Sequence, residues 1–249
     1  MAKQTIHLAF VGTGNWARRY HFPTLDALAH KPLTVAAPPF DVDLRLSGVF
    51  SLERDVAAQV AGTTGFERVY ESLDALIEDP TVDAVAVAVP PEAAHDVVLQ
   101  VAQKGVPIIS EKPPGISTAQ AQALAQAVTV PNVVAFNRRF APLNSRFKQM
   151  VSALDGISYV EGQFYRHNRT EDAFMVGTAI HWINFMEYVI GPIGEVTTTG
   201  YRDPASGAQH RIAQLTFANG TPGQLQVLPC TGSQVERLIV HSPTCSLYL

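Results

Sequence analysis

The chain has 249 residues, a length between one large domain and two modest ones, with 47% apolar and 16% charged residues. That composition can bury a substantial core and argues against extensive disorder. A net charge of -4 and the lack of any Lys/Arg run give no attraction for nucleic acid or an anionic membrane, so a small soluble partner is expected. The first residues hold no apolar stretch long enough for a signal peptide or a membrane span, and a cytoplasmic location is expected. Cys230 and Cys245 have no Cys or His partners at metal-ligand spacing. They are expected to be buried free thiols, with no metal site.

From Thr5 the run Ile6, Leu8, Phe10, Val11 predicts a strand that breaks into Gly12-Thr13-Gly14 before a helical stretch from near Asn15. Pro23 suits the first turn of a second helical segment through Ala29, and Pro38-Pro39 marks a loop. Residues 44–50 predict the second strand and 53–61 its helix, which completes a β-α-β unit. Alternation continues with a strand at Val69-Tyr70, a helix at 73–78, a strand at 82–89, a helix at 92–104, a strand at 106–109, a helix at 118–127 and a strand at 133–136. Strands this uniformly apolar are covered on both faces, which implies a doubly wound parallel sheet, a Rossmann domain, over residues 1–130. Downstream the grammar changes to alternating segments at 157–165, 196–201, 212–217, 223–228 and 237–240, with one long helix near 179–189. Successive strands with few helices imply a second, α+β domain over 131–249, its sheet mainly antiparallel.

Gly12-Thr13-Gly14-Asn15-Trp16-Ala17 matches G-x-G-x-x-A between a first strand and a first helix, the context that gives the pattern meaning. Gly12 permits the tight turn, Gly14 lets the backbone approach a pyrophosphate, and Ala17 lets helix and strand pack closely. The helix N-terminus then offers free N–H groups to the phosphates. An ordinary glycine turn is the bland alternative; with the following β-α-β unit, a nicotinamide dinucleotide site is expected. The tip of the second strand, where NAD sites carry an acidic residue, is here Ser51. With no carboxylate to repel a 2'-phosphate and Arg54 three residues on, NADP is expected, and nearby Glu53 keeps NAD as the alternative. Capping of the following helix is the competing role for Ser51.

Ser110-Glu111-Lys112-Pro113 follows directly on an apolar strand and completes a series that runs in order along nearly the whole chain. Its other members are the glycine turn, residues 72–83 with a strand ending at Pro90, then His95, the segment 137–142, a His on a later helix, and 236–249. On these residues the chain resembles the Gfo/Idh/MocA family, named for glucose-fructose oxidoreductase and inositol dehydrogenase. The resemblance implies hydride transfer between a nicotinamide cofactor and an alcohol or ketone carbon of a sugar, cyclitol or related small molecule. It also implies that Pro90, His95, Glu111 and Lys112 join the cofactor site, and that the Lys112-Pro113 bond is cis.

A lysine at the carboxyl end of a central strand stands where open α/β sheets place their ligands. The Lys112 ammonium can donate to a carbonyl or hydroxyl oxygen while hydride moves at the adjacent carbon, and Glu111 can hold it in place. The family's second catalytic element is a helix with a pattern like Asp-x-x-x-His-x-x-Asp. Here His181 matches, while Gly177 and Asn184 stand at the carboxylate positions. Asn184 lies one turn along on the same face, so both side chains can point into one site. Without a carboxylate partner His181 is expected to be the weaker base, leaving more of the proton transfer to Lys112.

Asn137, Arg138, Tyr165, Arg166 and His181 are expected around the substrate, with His167, Asn168 and Arg169 nearby; such groups suit a polyhydroxylated molecule, or one with a phosphate or carboxylate. Trp16 and Tyr20 read equally well as core contacts. Family members continue beyond the segment that 236–249 resembles, so this chain is a shortened member, borrows strands from a partner, or has its remainder outside the sequence given. An uncapped sheet favours self-association, and a homodimer or larger homo-oligomer is expected. The rival functional reading is a cofactor-binding protein that has lost catalysis and serves as a sensor or assembly partner.

Overall fold

The computed structural model describes residues 3–31, 33–36 and 39–249, with the backbone alone at 3, 33–36, 39 and 40. It separates into two compact units, Met1–Ala135 and Phe136–Leu249.

The first unit runs β1 (Lys3–Val11), a π turn (Ala17–His21) leading into α1 (Phe22–Ala29), β2 (Leu33–Ala36), β3 (Pro39–Phe50), α2 (Arg54–Thr64) and α3 (Leu73–Glu78). It continues through β4 (Ala84–Val87), α4 (Pro91–Ala102), β5 (Ile108–Ser110), α5 (Thr118–Ala127) and β6 (Asn132–Val134). The sheet order is β2-β3-β1-β4-β5-β6, parallel throughout except where β2 runs antiparallel to β3. The apolar run of β1 explains this arrangement. Leu8 and Phe10 enter one core with Phe22, Leu46 and Phe66, while Ala9 and Val11 enter the other with Leu76, Val85 and Val101. Alternate side chains thus feed two helix layers, which a half-solvated strand could not do.

Val11, Phe50, Val87 and Ser110 stand in register across four parallel strands. The residues that follow, Gly12, Ser51, Ala88 and Glu111, therefore leave the sheet along one edge. Helix starts are set by side-chain caps: Ser72 Oγ accepts from Ala75 N–H at 3.0 Å and Ser117 Oγ from Gln120 N–H at 3.2 Å. The strand expected at Val69-Tyr70 shrinks to one parallel bridge, Val49 to Val69, while Arg68 and the Tyr70 hydroxyl bind Asp79 at 2.9 and 2.8 Å. The second strand begins earlier than expected. Of the loop expected at Pro38-Pro39, Pro38 lies outside the described residues and Pro39 opens β3, a position where the missing ladder donor is tolerated.

The second unit holds a 3-10 turn (Asn137–Phe140), α6 (Pro142–Ser152), β7 (Tyr159–Tyr165), a π turn (Met175–Ala179) and α7 (Ile180–Ile190). Five strands follow: β8 (Ile193–Arg202), β9 (Gln209–Phe217), β10 (Pro222–Leu228), β11 (Val235–His241) and β12 (Ser246–Tyr248). Their order is β12-β11-β7-β10-β9-β8, antiparallel except for the parallel pair β7 and β10. Phe147 and Val151 of α6 and Trp182, Phe185 and Met186 of α7 pack on one sheet face, against Val160, Phe164, Leu225 and Leu238. Gly162 permits this approach, since a Cβ there would lie 2.6 Å from Met186 Sδ. The expectation of buried thiols is corrected: Cys245 is exposed and Cys230 only partly buried, because both fall in connections outside the strands that form the core. Among the described residues no helix is long and apolar enough to cross a membrane.

Candidate functional site

At the edge of the first sheet, Gly12 adopts φ +101°, and an added Cβ would lie 2.3 Å from Ala88 O. Its glycine is thus required by the neighbouring strand end as well as by the turn. Gly14 differs, because an added Cβ there meets nothing within 4 Å. Protein packing does not demand the glycine; it leaves backbone bare toward open space. The first bond of the following helical segment joins Arg18 N–H to Gly14 O at 3.1 Å, so the amides of Asn15, Trp16 and Ala17 have no intrahelical acceptor. Ala17 is buried against the strand core. Buried Thr13 donates from Oγ1 to Ser51 Oγ at 2.8 Å, tying the turn to the tip of β3. Ser51 Oγ also accepts from the N–H of Glu53 at 3.4 Å, the residue at the N-cap of α2, so Ser51 braces both the turn and the start of that helix. Arg54 is exposed, 3.7 Å from the still more exposed Glu71.

Glu111, one residue beyond β5, gathers donors from two segments. Its Oε1 accepts from Trp16 Nε1 at 3.0 Å and lies 2.7 Å from His21 Nε2, and its Oε2 accepts from Lys112 N–H at 3.2 Å. Burial pushes the carboxyl pKa up, but the bond and charge of His21, the Lys112 charge and the Trp16 bond outweigh it and hold Glu111 below the ordinary carboxylate range. Lys112 is half-buried, and its bond to Pro113 is cis. Trp16 and Tyr20 are exposed by 48% and 44%, with ring centroids 4.2 Å apart, so the core-contact reading of both is corrected. Pro90 stands at the N-cap of α4. One turn on, His95 binds Asp96 at 2.7 Å through Nδ1, and its buried Nε2 has no hydrogen-bond partner among the described residues. His21 carries no sequence signal that links it to Glu111, 90 positions away.

Lys112 belongs to the first unit; His181 and Asn184 belong to the second. His181 is buried on α7, edge-on to Phe136 at 6.3 Å. Asn184 Oδ1 accepts from Arg139 Nε at 2.8 Å, and Gly177 sits in the π turn just before the helix. Arg138 and Arg166 share one carboxylate oxygen of Glu236. Arg166 is buried with its guanidinium 3.8 Å over the Phe164 ring. Desolvation draws its pKa down, Glu236 opposes that, and the like charges of Arg138 and Arg169 add to the lowering. Tyr165 leaves the strand on the face opposite Phe164 and bonds Gln226, so strand alternation separates it from Arg166. Asn137 is exposed. His167 binds Thr231 O at 2.8 Å, Asn168 has φ 52°, and Arg169 is committed to Glu171 and Thr178.

Residues 6–137, more than half of the chain, match the Gfo/Idh/MocA family model, described as an oxidoreductase family with an NAD-binding Rossmann fold. The chain belongs to the Gfo/Idh/MocA family. It is 23% identical over 192 residues to scyllo-inositol 2-dehydrogenase (NAD(+)) of Bacillus subtilis (strain 168), a match covering 68% of this chain and 55% of that protein. It is 27% identical over 128 residues to trans-1,2-dihydrobenzene-1,2-diol dehydrogenase of Xenopus tropicalis, covering 49% and 39%. The chain thus spans about half, or less, of the length of these curated relatives. Among solved structures, myo-inositol dehydrogenase from Lactobacillus casei in complex with NAD(H) and myo-inositol superposes with a TM-score of 0.82 at 20% identity, covering 99% of this chain and 74% of that one. The likeness is one of fold.

Proposed function

We propose that the chain is an oxidoreductase that uses NADP, with NAD as the alternative, and moves a hydride between the cofactor and an alcohol or ketone carbon of a sugar, cyclitol or related small molecule. The observation that carries this reading is the meeting, at one sheet edge, of a turn bare at Gly14 with the Trp16, Glu111 and Lys112 cluster. Two features fit a dinucleotide: the open space over Gly14, and the orphaned buried Nε2 of His95. Gly12, Thr13 and Gly14 would shape the phosphate cradle, and the amides of Asn15, Trp16 and Ala17 would donate to it. Ser51 and Arg54 would meet the ribose end, with no carboxylate at the strand tip to repel a 2'-phosphate. The nicotinamide, when bound, supplies the hydride donor or acceptor.

In the reduction direction Lys112 gives a proton to the carbonyl oxygen as charge develops there; in oxidation it relieves the hydroxyl of its proton. Ionised Glu111 keeps the ammonium in place. His181 and Asn184 assist on the substrate side, where Asn137, Arg138 and Arg166 offer donors to hydroxyl oxygens. Residues 1–130 are assigned to the cofactor and 131–249 to substrate binding and self-association, in a cytoplasmic homodimer or larger assembly. The printed names of the relatives, an inositol dehydrogenase among them, support the substrate class, and the cofactors those names carry, NAD(+) and NAD(H), favour the NAD alternative.

The test is turnover of NADPH and NADH with a panel of polyols and keto sugars, for the wild type and Lys112→Met. A fall of about 100-fold or more is expected for the variant; equal rates overturn the role of Lys112. The absence of carboxylates at Gly177 and Asn184 favours a second reading, a cofactor-binding protein without catalysis. Tight NADPH binding with no turnover on any carbonyl would support it.

A further inference from the structure

We propose that His21 is a positioning residue for Lys112, acting through Glu111. The inference rests on the reading of Lys112 as the proton-transfer group. The two oxygens of the Glu111 carboxylate have different tasks. Oε2 accepts from the backbone N–H of Lys112 at 3.2 Å, whereas Oε1 receives both Trp16 and His21. The Glu111 side chain is only 16% exposed, so water does little to orient it. The side chains that orient it come from the segment that begins at the glycine turn.

The backbone explains how His21 arrives there. Residues Ala17–His21 form a π turn, not a regular α turn. Each α-helical residue advances about 100° around the axis, so the extra residue in a wide turn re-aims the next side chain by about that angle. The His21 ring packs against Phe10 of β1, with centroids 5.7 Å apart, and points Nε2 at Glu111; an ionised carboxylate can only accept, which assigns the proton to that nitrogen. The motif that shapes the phosphate cradle thus ends in a clamp on the residue before Lys112. Of the charged groups, His21 and then Lys112 act most strongly on Glu111, and Trp16 adds a neutral donor. An aligned, ionised carboxylate stabilises the ammonium form of Lys112. Without His21, Glu111 keeps one side-chain donor on Oε1 and loses its fixed aim, so Lys112 releases its proton at lower pH and in a broader range of positions.

The test uses His21→Leu, His21→Gln and Trp16→Phe in the full chain, with kcat, KM, the Kd for NADPH, and the titration of Lys112 followed by NMR of isotope-labelled lysine side chains. For His21→Leu, kcat is expected to fall about tenfold with KM and Kd within about twofold, and the Lys112 titration to move down by about half a unit to one unit. His21→Gln, whose amide can donate to Oε1, should recover most of both. Trp16→Phe alters a half-exposed ring, and should show the same shift at smaller amplitude if His21→Leu does not fold. An unchanged Lys112 titration in the folded variants overturns the proposal, as does a Kd that worsens as much as kcat falls. The two readings fail separately: full turnover by Lys112→Met removes the catalytic reading, while a shifted titration still upholds the clamp.

Discussion

Gly12 and Gly14 stand two residues apart in one motif, yet substitution by alanine should separate a structural glycine from a ligand glycine. At Gly12 an alanine must hold φ +101° and place its Cβ 2.3 Å from Ala88 O and 2.9 Å from Ala88 C, both backbone atoms that cannot swing aside. The left-handed conformation costs about 1–2 kcal/mol and the forced overlap about 1–3 kcal/mol more. Gly12→Ala should therefore lose about 2–5 kcal/mol, enough to unfold a marginal domain. At Gly14 an added methyl meets nothing within 4 Å, so Gly14→Ala should be neutral in stability or gain up to about 1 kcal/mol from a stiffer unfolded chain. The same methyl would fill the space assigned to the pyrophosphate, at a cost of about 1–3 kcal/mol in binding, or roughly 5- to 150-fold in Kd. Urea unfolding and NADPH fluorescence titration read the two effects separately. The reasoning is refuted if Gly14→Ala binds NADPH as tightly as the wild type, or if Gly12→Ala unfolds at the wild-type midpoint.

Ser51→Asp keeps an acceptor for Thr13 Oγ1 but sets a carboxylate at the ribose end. NADPH binding should weaken by about 10- to 100-fold relative to NADH, and an unchanged ratio of the two Kd values would contradict the assignment of that end. Asp79 accepts from Thr81, Tyr70 and Arg68. The Thr81 hydrogen bond lowers its pKa most, burial opposes, and Tyr70 and Arg68 help to bring it to about 2. A depressed carboxyl stabilises the fold fully above its unfolded value near 3.8 and ceases to do so as pH falls toward 2. Asp79→Asn should accordingly lose about 1–2 kcal/mol near neutral pH, a difference that shrinks below about pH 4; parallel urea curves at neutral pH and at the lowest pH where the chain stays folded check it. The same contact and burial push the Tyr70 hydroxyl up to about 12, burial being the larger cause. A raised hydroxyl stabilises the fold below its ordinary value of 10.0 and stops doing so as pH climbs toward 12, so wild-type stability should erode in that alkaline window and a Tyr70→Phe variant should lack that erosion.

The parts legible in the sequence are those where one local force dominates. β1 feeds two cores with consecutive apolar side chains, and the helices at Leu73–Glu78 and Thr118–Ala127 begin at serine caps. The edge hairpin of β2 and β3 escaped because polar Asp41 and Asp43 interrupt the apolar pattern. Helix α6 escaped because only Asn144, Phe147 and Val151 of its residues are buried, too sparse a stripe to announce a helix. The Gly-x-Gly turn and Glu111-Lys112-Pro113 were readable because each is local. His21 was not, since its link to Glu111 depends on a π turn and on strand ends that meet only in the folded sheet. Strand parity, which sends Tyr165 away from Arg166, also becomes decisive only once the packed face is known.

The most direct test of the central claim is a crystal structure of the chain with NADPH bound. The pyrophosphate is expected over Gly14 and the amides of Asn15, Trp16 and Ala17, the 2'-phosphate near Ser51 and Arg54, and nicotinamide C4 beside Lys112. A cofactor bound elsewhere, or a nicotinamide ring turned away from Lys112, would contradict it.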